Sequence, residues 1–153
     1  QEELPNIKNF GTLSPIPGFR DWFVNLDEKL VKNILGNIPL ENISFLKSSS
    51  LKIGDTRIIS NKNAIYKLVA HYLMNEKNSK QLPINDVCRF HLGNGAIIDD
   101  IVINANISEV GFKRSFGVMV NYLYELKNIE KNHEEYINKK TTIISNKVKK
   151  LIQ

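Results

Sequence analysis

Residues 117–126, GVMVNYLYEL, constrain this chain more than any other stretch. Val118, Val120, Tyr122 and Tyr124 fall on one side of a period-two alternation, with Met119, Asn121 and Leu123 on the other. A strand sends successive side chains to opposite faces, so this pattern requires a sheet with one strongly apolar face. A second extended segment, residues 96–105, carries Ile101, Val102 and Ile103 in succession, which predicts a strand covered on both faces. A third, residues 10–14, runs into Pro15 and Pro17; each proline biases its predecessor toward extended geometry.

Helical patterns separate these strands. Pro17 can open a helix at its first position. Phe19, Trp22, Phe23, Leu26, Leu30 and Ile34 then follow as one apolar stripe that ends near Gly36. Residues 37–61 are polar and mixed and are expected to form an irregular connection. A second helix is predicted over 63–76, with Ile65, Leu68, Val69, Tyr72 and Leu73 on one face. A break at residues 83–85 leads to a short helix over 86–92 and the Gly93-Asn94-Gly95 turn. Ser108 is a candidate cap for a helix over 109–116. Beyond residue 126 a polar stretch leads to a closing helix carrying Ile144, Val148 and Leu151. The expected architecture is α+β: a mixed β-sheet flanked by helices, in a single domain over residues 1–153.

Charge and cysteine usage narrow the classes. The chain has 153 residues, 42% of them hydrophobic and 24% charged, as in ordinary globular chains. The single Cys88 rules out an internal disulfide and suits a reducing compartment. No apolar run approaches the ~18 residues of a membrane span. QEELPNIKNF lacks the apolar core of a signal peptide, and Leu151-Ile152-Gln153 is not a peroxisomal tripeptide, so cytoplasm is the expected location. A first residue of Gln1 rather than Met is read as a processed, trimmed or incomplete chain. The net charge is +5 and the pI about 9.3. Yet the lysines are scattered, and the densest group (Lys139, Lys140, Lys147, Lys149 and Lys150) has few aromatics beside it for stacking bases. A basic nucleic-acid-binding module is therefore the lesser alternative.

The residues able to carry chemistry are few. Ser14 ends a strand before a proline corner, and His91 precedes a glycine turn. Tyr122, Tyr124, His71 and His133 complete the set. Taken singly, Ser14 reads first as a turn residue and His91 as a core side chain. His71 and His133 read as structural or solvated. Cys88 and His91 have a C-x-x-H spacing without a second pair, so no metal site is expected.

Four blocks change this balance: FGTLSPIPGFRDW (residues 10–22), CRFHLGNGA (88–96), GVMVNYLYEL (117–126) and IEKNHEEY (129–136). Together, and with AIYKLVAHYLMNEK (64–77) between them, they resemble the malonyl-CoA decarboxylase family in the family's own order. The resemblance implies the C-terminal part of a catalytic domain built like an acyl-CoA N-acyltransferase. It implies conversion of malonyl-CoA to acetyl-CoA and carbon dioxide without a cofactor. It also implies a catalytic serine at Ser14, a catalytic histidine at His91, and a substrate-pocket residue at Tyr124. A hydroxyl can orient the departing carboxylate or the thioester carbonyl, and an imidazole can hold and donate a proton near neutral pH.

Two departures from the family pattern accompany the match. The family's coenzyme pyrophosphate loop lies upstream of its SPIPG block, whereas QEELPNIKNF offers only a helix end before that block. The N-terminal strands of the fold are therefore expected to be missing, with a sheet edge left unpaired and coenzyme binding weakened. The missing upstream part is accordingly a possible partner, and a catalytically inactive remnant is the leading alternative function. The segment IIDDIVINANIS also stands where the family commonly has an ERINW-like run, so the local pocket differs there.

Overall fold

A computed structural model describes residues 8–153; the helix end read at the start of the chain falls largely on residues 1–7, outside the described residues. The alternating segment forms β3, Met119–Glu125, the central strand of a three-stranded sheet with order β1-β3-β2. Val120, Tyr122 and Tyr124 are buried, and the intervening residues are only partly so. β1, Asn9–Ser14, pairs antiparallel with β3 and sets Ser14 opposite Val120 and Phe10 opposite Tyr124. β2, Ile97–Val102, pairs antiparallel along the other side, with an irregularity between Ile98 and Asp100.

The expected mixed sheet is thus corrected to an antiparallel one. Among the described residues, parallel pairing is confined to an isolated bridge between Ile98 and Ile144. There Ile98 N–H donates to the Ile143 carbonyl and Ser145 N–H to the Ile98 carbonyl, covering the outer edge of β2. The outer edge of β1 has no strand beside it among the described residues, and Phe10 and Leu13 are exposed along it. Of the apolar run in β2, Ile101 is buried, whereas Val102 and Ile103 are half-buried, so the segment is not covered equally on both faces.

The stripe expected to run unbroken from Phe19 to Ile34 is two helices. α1, Phe19–Val24, begins after Gly18, whose φ of 88° is a left-handed conformation that glycine adopts without a side-chain clash. α2, Glu28–Leu35, restarts at Asp27, whose side chain accepts from Lys29 N–H. The restart resets the helical phase, so Val31 and Leu35 are the buried residues of α2, while Leu30 and Ile34 are half-buried and Ile34 packs against the margin of the core. Residues 37–61 are also more regular than their composition suggests, with two 3₁₀ turns and α3, Thr56–Ser60.

α4, Lys62–Asn75, is the longest helix among the described residues, and it buries Ile65, Leu68, Val69, Tyr72 and Leu73 as its spacing predicts. α5, Asp86–Gly93, follows the Pro83 break. Ser108 caps α6, Glu109–Ser115, by accepting from Gly111 N–H at 3.1 Å. The polar stretch after β3 is itself helical: α7, Ile129–Lys139, buries only Asn132 and Tyr136. Its charged surface hid it from an apolar periodicity reading. α8, Asn146–Leu151, closes the chain behind a Ser145 cap. Phe19, Phe23, Leu68, Leu73, Leu92, Val120 and Tyr122 belong to one continuous apolar core.

Candidate active site

Ser14 is the last residue of β1, and its position follows from the proline corner after it. Pro15 and Pro17 hold the chain extended, Ile16 is fully buried, and Phe19 N–H reaches back to the Ile16 carbonyl at 3.3 Å. This corner fixes the backbone carrying Ser14, whose side chain is only 6% exposed.

His91 comes from a different part of the chain. Asn85 caps α5 by accepting from Cys88 N–H at 2.9 Å, and its amide Nδ2 donates to the Pro17 carbonyl at 2.9 Å. His91 lies in the last turn of this helix, facing the sheet. The turn that follows is tight: Asn94 N–H donates to the Phe90 carbonyl and Ala96 N–H to the His91 carbonyl. Gly95 has φ 92°, and a Cβ there would lie 2.6 Å from the Ile129 carbonyl oxygen, so α7 packs against the bare backbone of the turn. His133 on α7 bonds to the Gly93 carbonyl through Nδ1 at 2.7 Å, completing the end of α5.

These elements bring Ser14 and His91 together across 77 residues: the Ser14 Oγ–His91 Nε2 distance is 3.1 Å. On the other side of the ring, His91 Nδ1 is 2.6 Å from the Tyr124 hydroxyl. A neutral imidazole has one N–H, so one nitrogen donates and the other accepts. Burial disfavours the imidazolium and lowers the His91 pKa below the ordinary histidine value. The buried ring therefore favours its neutral form more than an unperturbed histidine would. Burial also raises the Tyr124 phenol.

Aromatic residues frame the polar chain. The Tyr122 ring stacks on the imidazole, with centroids 4.4 Å apart. Phe10 stacks on Tyr124 at 4.8 Å, and Phe90 meets His91 edge-on at 5.2 Å. Phe90 is 63% exposed and Phe10 46%, so a solvent-facing aromatic rim borders the buried Ser14–His91–Tyr124 row. The row can hold a proton in a defined place and present a hydroxyl beside it. The sequence offers Tyr122 as a candidate for chemistry, but its role as the floor beneath the imidazole is not legible there. Asn85 was likewise read only as part of a break. Its sole local signal is an Asn immediately before a short helical segment.

The remaining candidates lie elsewhere. His71 stacks on Trp22 at 5.9 Å and is 3.4 Å from Glu76. Cys88 is fully buried and burial pushes its thiol up to about 12, so it is a packing residue and not a thiolate ligand. Arg20 lies over the rings of Phe112 and Phe116 and donates to the Phe112 carbonyl, tying α1 to α6. Among the described residues, no group of three or more His, Cys, Asp or Glu side chains could hold a metal ion. No described helix is long and apolar enough to cross a membrane.

Known proteins resemble the chain over its full extent. The family described as the malonyl-CoA decarboxylase C-terminal domain matches residues 1–153. The mitochondrial malonyl-CoA decarboxylase of Anser anser anser is 30% identical over 158 residues, covering 92% of this chain and 31% of that protein. That of Mus musculus is 29% identical, covering 99% and 34%. Crystal structures of malonyl-CoA decarboxylases agree. The protein from Rhodopseudomonas palustris superposes with a TM-score of 0.79 at 32% identity, over 98% of this chain and 34% of that one. The protein from Cupriavidus metallidurans gives 0.77 at 32% identity, over 99% and 40%. The chain spans about a third of the length of the curated relatives it matches.

Proposed function

Because the chain belongs to the malonyl-CoA decarboxylase family, we propose that it carries the reacting end of the site at which malonyl-CoA is converted to acetyl-CoA and carbon dioxide. Ser14 and His91 are the proposed catalytic residues, and Tyr124 contacts the substrate pocket while sharing its hydroxyl with His91. The distance that supports this assignment above all is the 3.1 Å between Ser14 Oγ and His91 Nε2, beside an open aromatic rim.

The bond that breaks joins the substrate's carboxylate carbon to its α-carbon. Its electron pair passes into the thioester as an enolate, carbon dioxide leaves, and one proton must reach the α-carbon. Catalysis requires donors fixed where charge develops on the thioester oxygen. With Tyr124 O–H donating to His91 Nδ1, the ring hydrogen sits on Nε2, toward Ser14. The Ser14 hydroxyl hydrogen is then available to the carboxylate or the thioester carbonyl. An enolate carbon is a stronger base even than the imidazolate left when Nε2–H is lost, so the neutral ring suffices as the donor of the final proton. The Tyr124 O–H bond to Nδ1 stabilises the ring as Nε2 gives its proton up, and a proton taken from solvent restores the ring before the next turnover, so each carbon dioxide released consumes one proton. The thioester itself accepts the electrons, so the scheme calls for no added cofactor or metal.

The three-stranded sheet is proposed to belong to an acyl-CoA N-acyltransferase-like framework, and residues 1–153 to a single domain of it. The exposed outer edge of β1, with Phe10 and Leu13, favours a larger sheet in the whole protein. A reducing, aqueous location such as the cytoplasm suits the lone buried thiol.

Acetyl-CoA formation from malonyl-CoA tests the proposal, with the chain assayed alone and with the remainder of the family's catalytic domain supplied as a second chain. His91→Ala is expected to lower turnover at least about a hundredfold, the usual scale for losing an acid–base group. Ser14→Ala should give a comparable fall. A near-wild-type rate for His91→Ala removes that residue from the mechanism. No product in either arm from the unaltered chain points to a fold retained without turnover.

A further inference from the structure

Ser14 and His91 sit on segments 77 residues apart in the chain, and a 3.1 Å contact between them needs a strut. Asn85 has the connections of one. It is 2% exposed and both ends of its amide are engaged: Oδ1 accepts from Cys88 N–H, and Nδ2 donates to the Pro17 carbonyl, each at 2.9 Å. The orientation is fixed by chemistry, because a flipped amide would set oxygen against a carbonyl and NH₂ against an N–H. Pro17 lies three residues beyond Ser14 on a corner stiffened by two prolines, and Asn85 lies six residues before His91 at the start of α5. Tyr72 O–H reaches the same Pro17 carbonyl at 3.4 Å, a longer and weaker second tie.

We propose that Asn85 is a positioning residue whose side-chain amide locks the proline corner to the first turn of α5, and so sets the Ser14–His91 separation. The path from Ser14 through Pro17 and Asn85 to His91 closes back on itself at the Oγ–Nε2 contact. Two rigid segments joined at both ends leave the imidazole little freedom to tilt away from the hydroxyl. A cap alone would need only an acceptor at this position, which serine and aspartate supply equally. The donor to Pro17 is the part that a cap does not require. The kinetic consequence rests on the decarboxylase assignment for Ser14 and His91; the geometric one does not.

Asn85→Ser separates the two roles, because a serine hydroxyl can still cap α5 but is too short to bridge to Pro17. The test records the imidazole ¹⁵N–¹H correlation spectrum of the histidine-labelled full chain, with His91 signals identified by their loss in His91→Ala. The wild type is expected to show a single fixed tautomer, and Asn85→Ser a folded protein with His91 signals displaced toward the tautomer average. In the assay with malonyl-CoA, kcat is expected to fall roughly tenfold or more while KM changes by less than about threefold, as misplacement of a reacting group demands. An unchanged His91 spectrum in Asn85→Ser overturns the proposal. If Asn85→Ser does not fold, Asn85→Asp takes its place, because a carboxylate keeps the cap acceptor and loses the donor to Pro17: displaced His91 signals support the strut, and an unmoved spectrum overturns it. Should the unaltered chain form no acetyl-CoA, the decarboxylase assignment fails while the spectrum still decides the strut.

Discussion

The imidazole of His91 lies on the ring of Tyr122, with centroids 4.4 Å apart and planes 21° from parallel. Tyr122 is fully buried at the centre of β3 and gives the imidazole a flat floor. Ser14 and Tyr124 engage its two nitrogens at the ring edge. The orientation is therefore over-determined: stacking fixes the plane, and the hydrogen bonds fix rotation within it.

The Tyr122 hydroxyl is buried with only the Cys88 thiol, a weak partner, beside it, so the ring matters more than the oxygen. Tyr122→Phe is expected to leave stability within about 1 kcal/mol of wild type, because only the weak contact with the Cys88 thiol is lost. Tyr122→Leu removes the stacking surface and leaves a cavity, and should cost about 2–4 kcal/mol. Urea unfolding of the two variants checks both numbers. A loss above about 2 kcal/mol in Tyr122→Phe would show that the neighbouring Cys88 thiol, and not packing alone, holds the ring.

Tyr124→Phe keeps the stack on Phe10 and deletes only the hydroxyl at His91 Nδ1. Stability should fall by about 1 kcal/mol, the usual net worth of one hydrogen bond. Turnover should fall roughly tenfold, because the ring loses the partner that fixes its tautomer. Steady-state kinetics beside thermal unfolding separates the two effects, and an unchanged kcat would restrict Tyr124 to a structural part.

Acid should weaken the fold through His91. Its pKa is lowered in the folded chain, so near pH 6.5 an unfolded chain takes up this proton while the folded chain does not. The unfolded state then binds more protons, and stability declines as pH falls through about 6.5 toward the lowered folded value. Urea midpoints at pH 7.5 and 5.5 should show a larger drop for the wild type than for His91→Gln. Equal drops would assign the acid sensitivity to other groups.

Gly95→Ala probes the turn behind His91. The added Cβ would meet the Ile129 carbonyl at 2.6 Å, on a backbone with φ 92° that L side chains rarely adopt. A loss of about 2 kcal/mol or more is expected, since strain and clash act together. Gly93→Ala is the control, because nothing lies within 4 Å of its Cβ position. Similar melting temperatures for the two variants would mean that α7 yields easily.

Several elements could be read from the residues because their information is local. The alternation in β3, the stripe of α4 and the Ser108 cap each depend on neighbours a few positions away, and each appears as expected. The failures have equally physical causes. Asp27 restarts the helix and shifts which residues face inward, and α7 carries too few apolar residues to announce itself. The sheet became antiparallel because β1 and β2 both run against β3, a matter of chain path that no single segment encodes.

For the candidate site, the sequence alone determined which residue types were available and, through motif resemblance, which of them to watch: Ser14, His91 and Tyr124. Only the tertiary structure decided that Ser14 and His91 touch, that burial favours the neutral ring, that Tyr122 stacks on it and that Asn85 bonds to the proline corner. Spacing along a chain specifies local turns and periodicities, whereas a hydrogen bond across 77 residues, and the desolvation that depresses a pKa, exist only once distant segments have packed together.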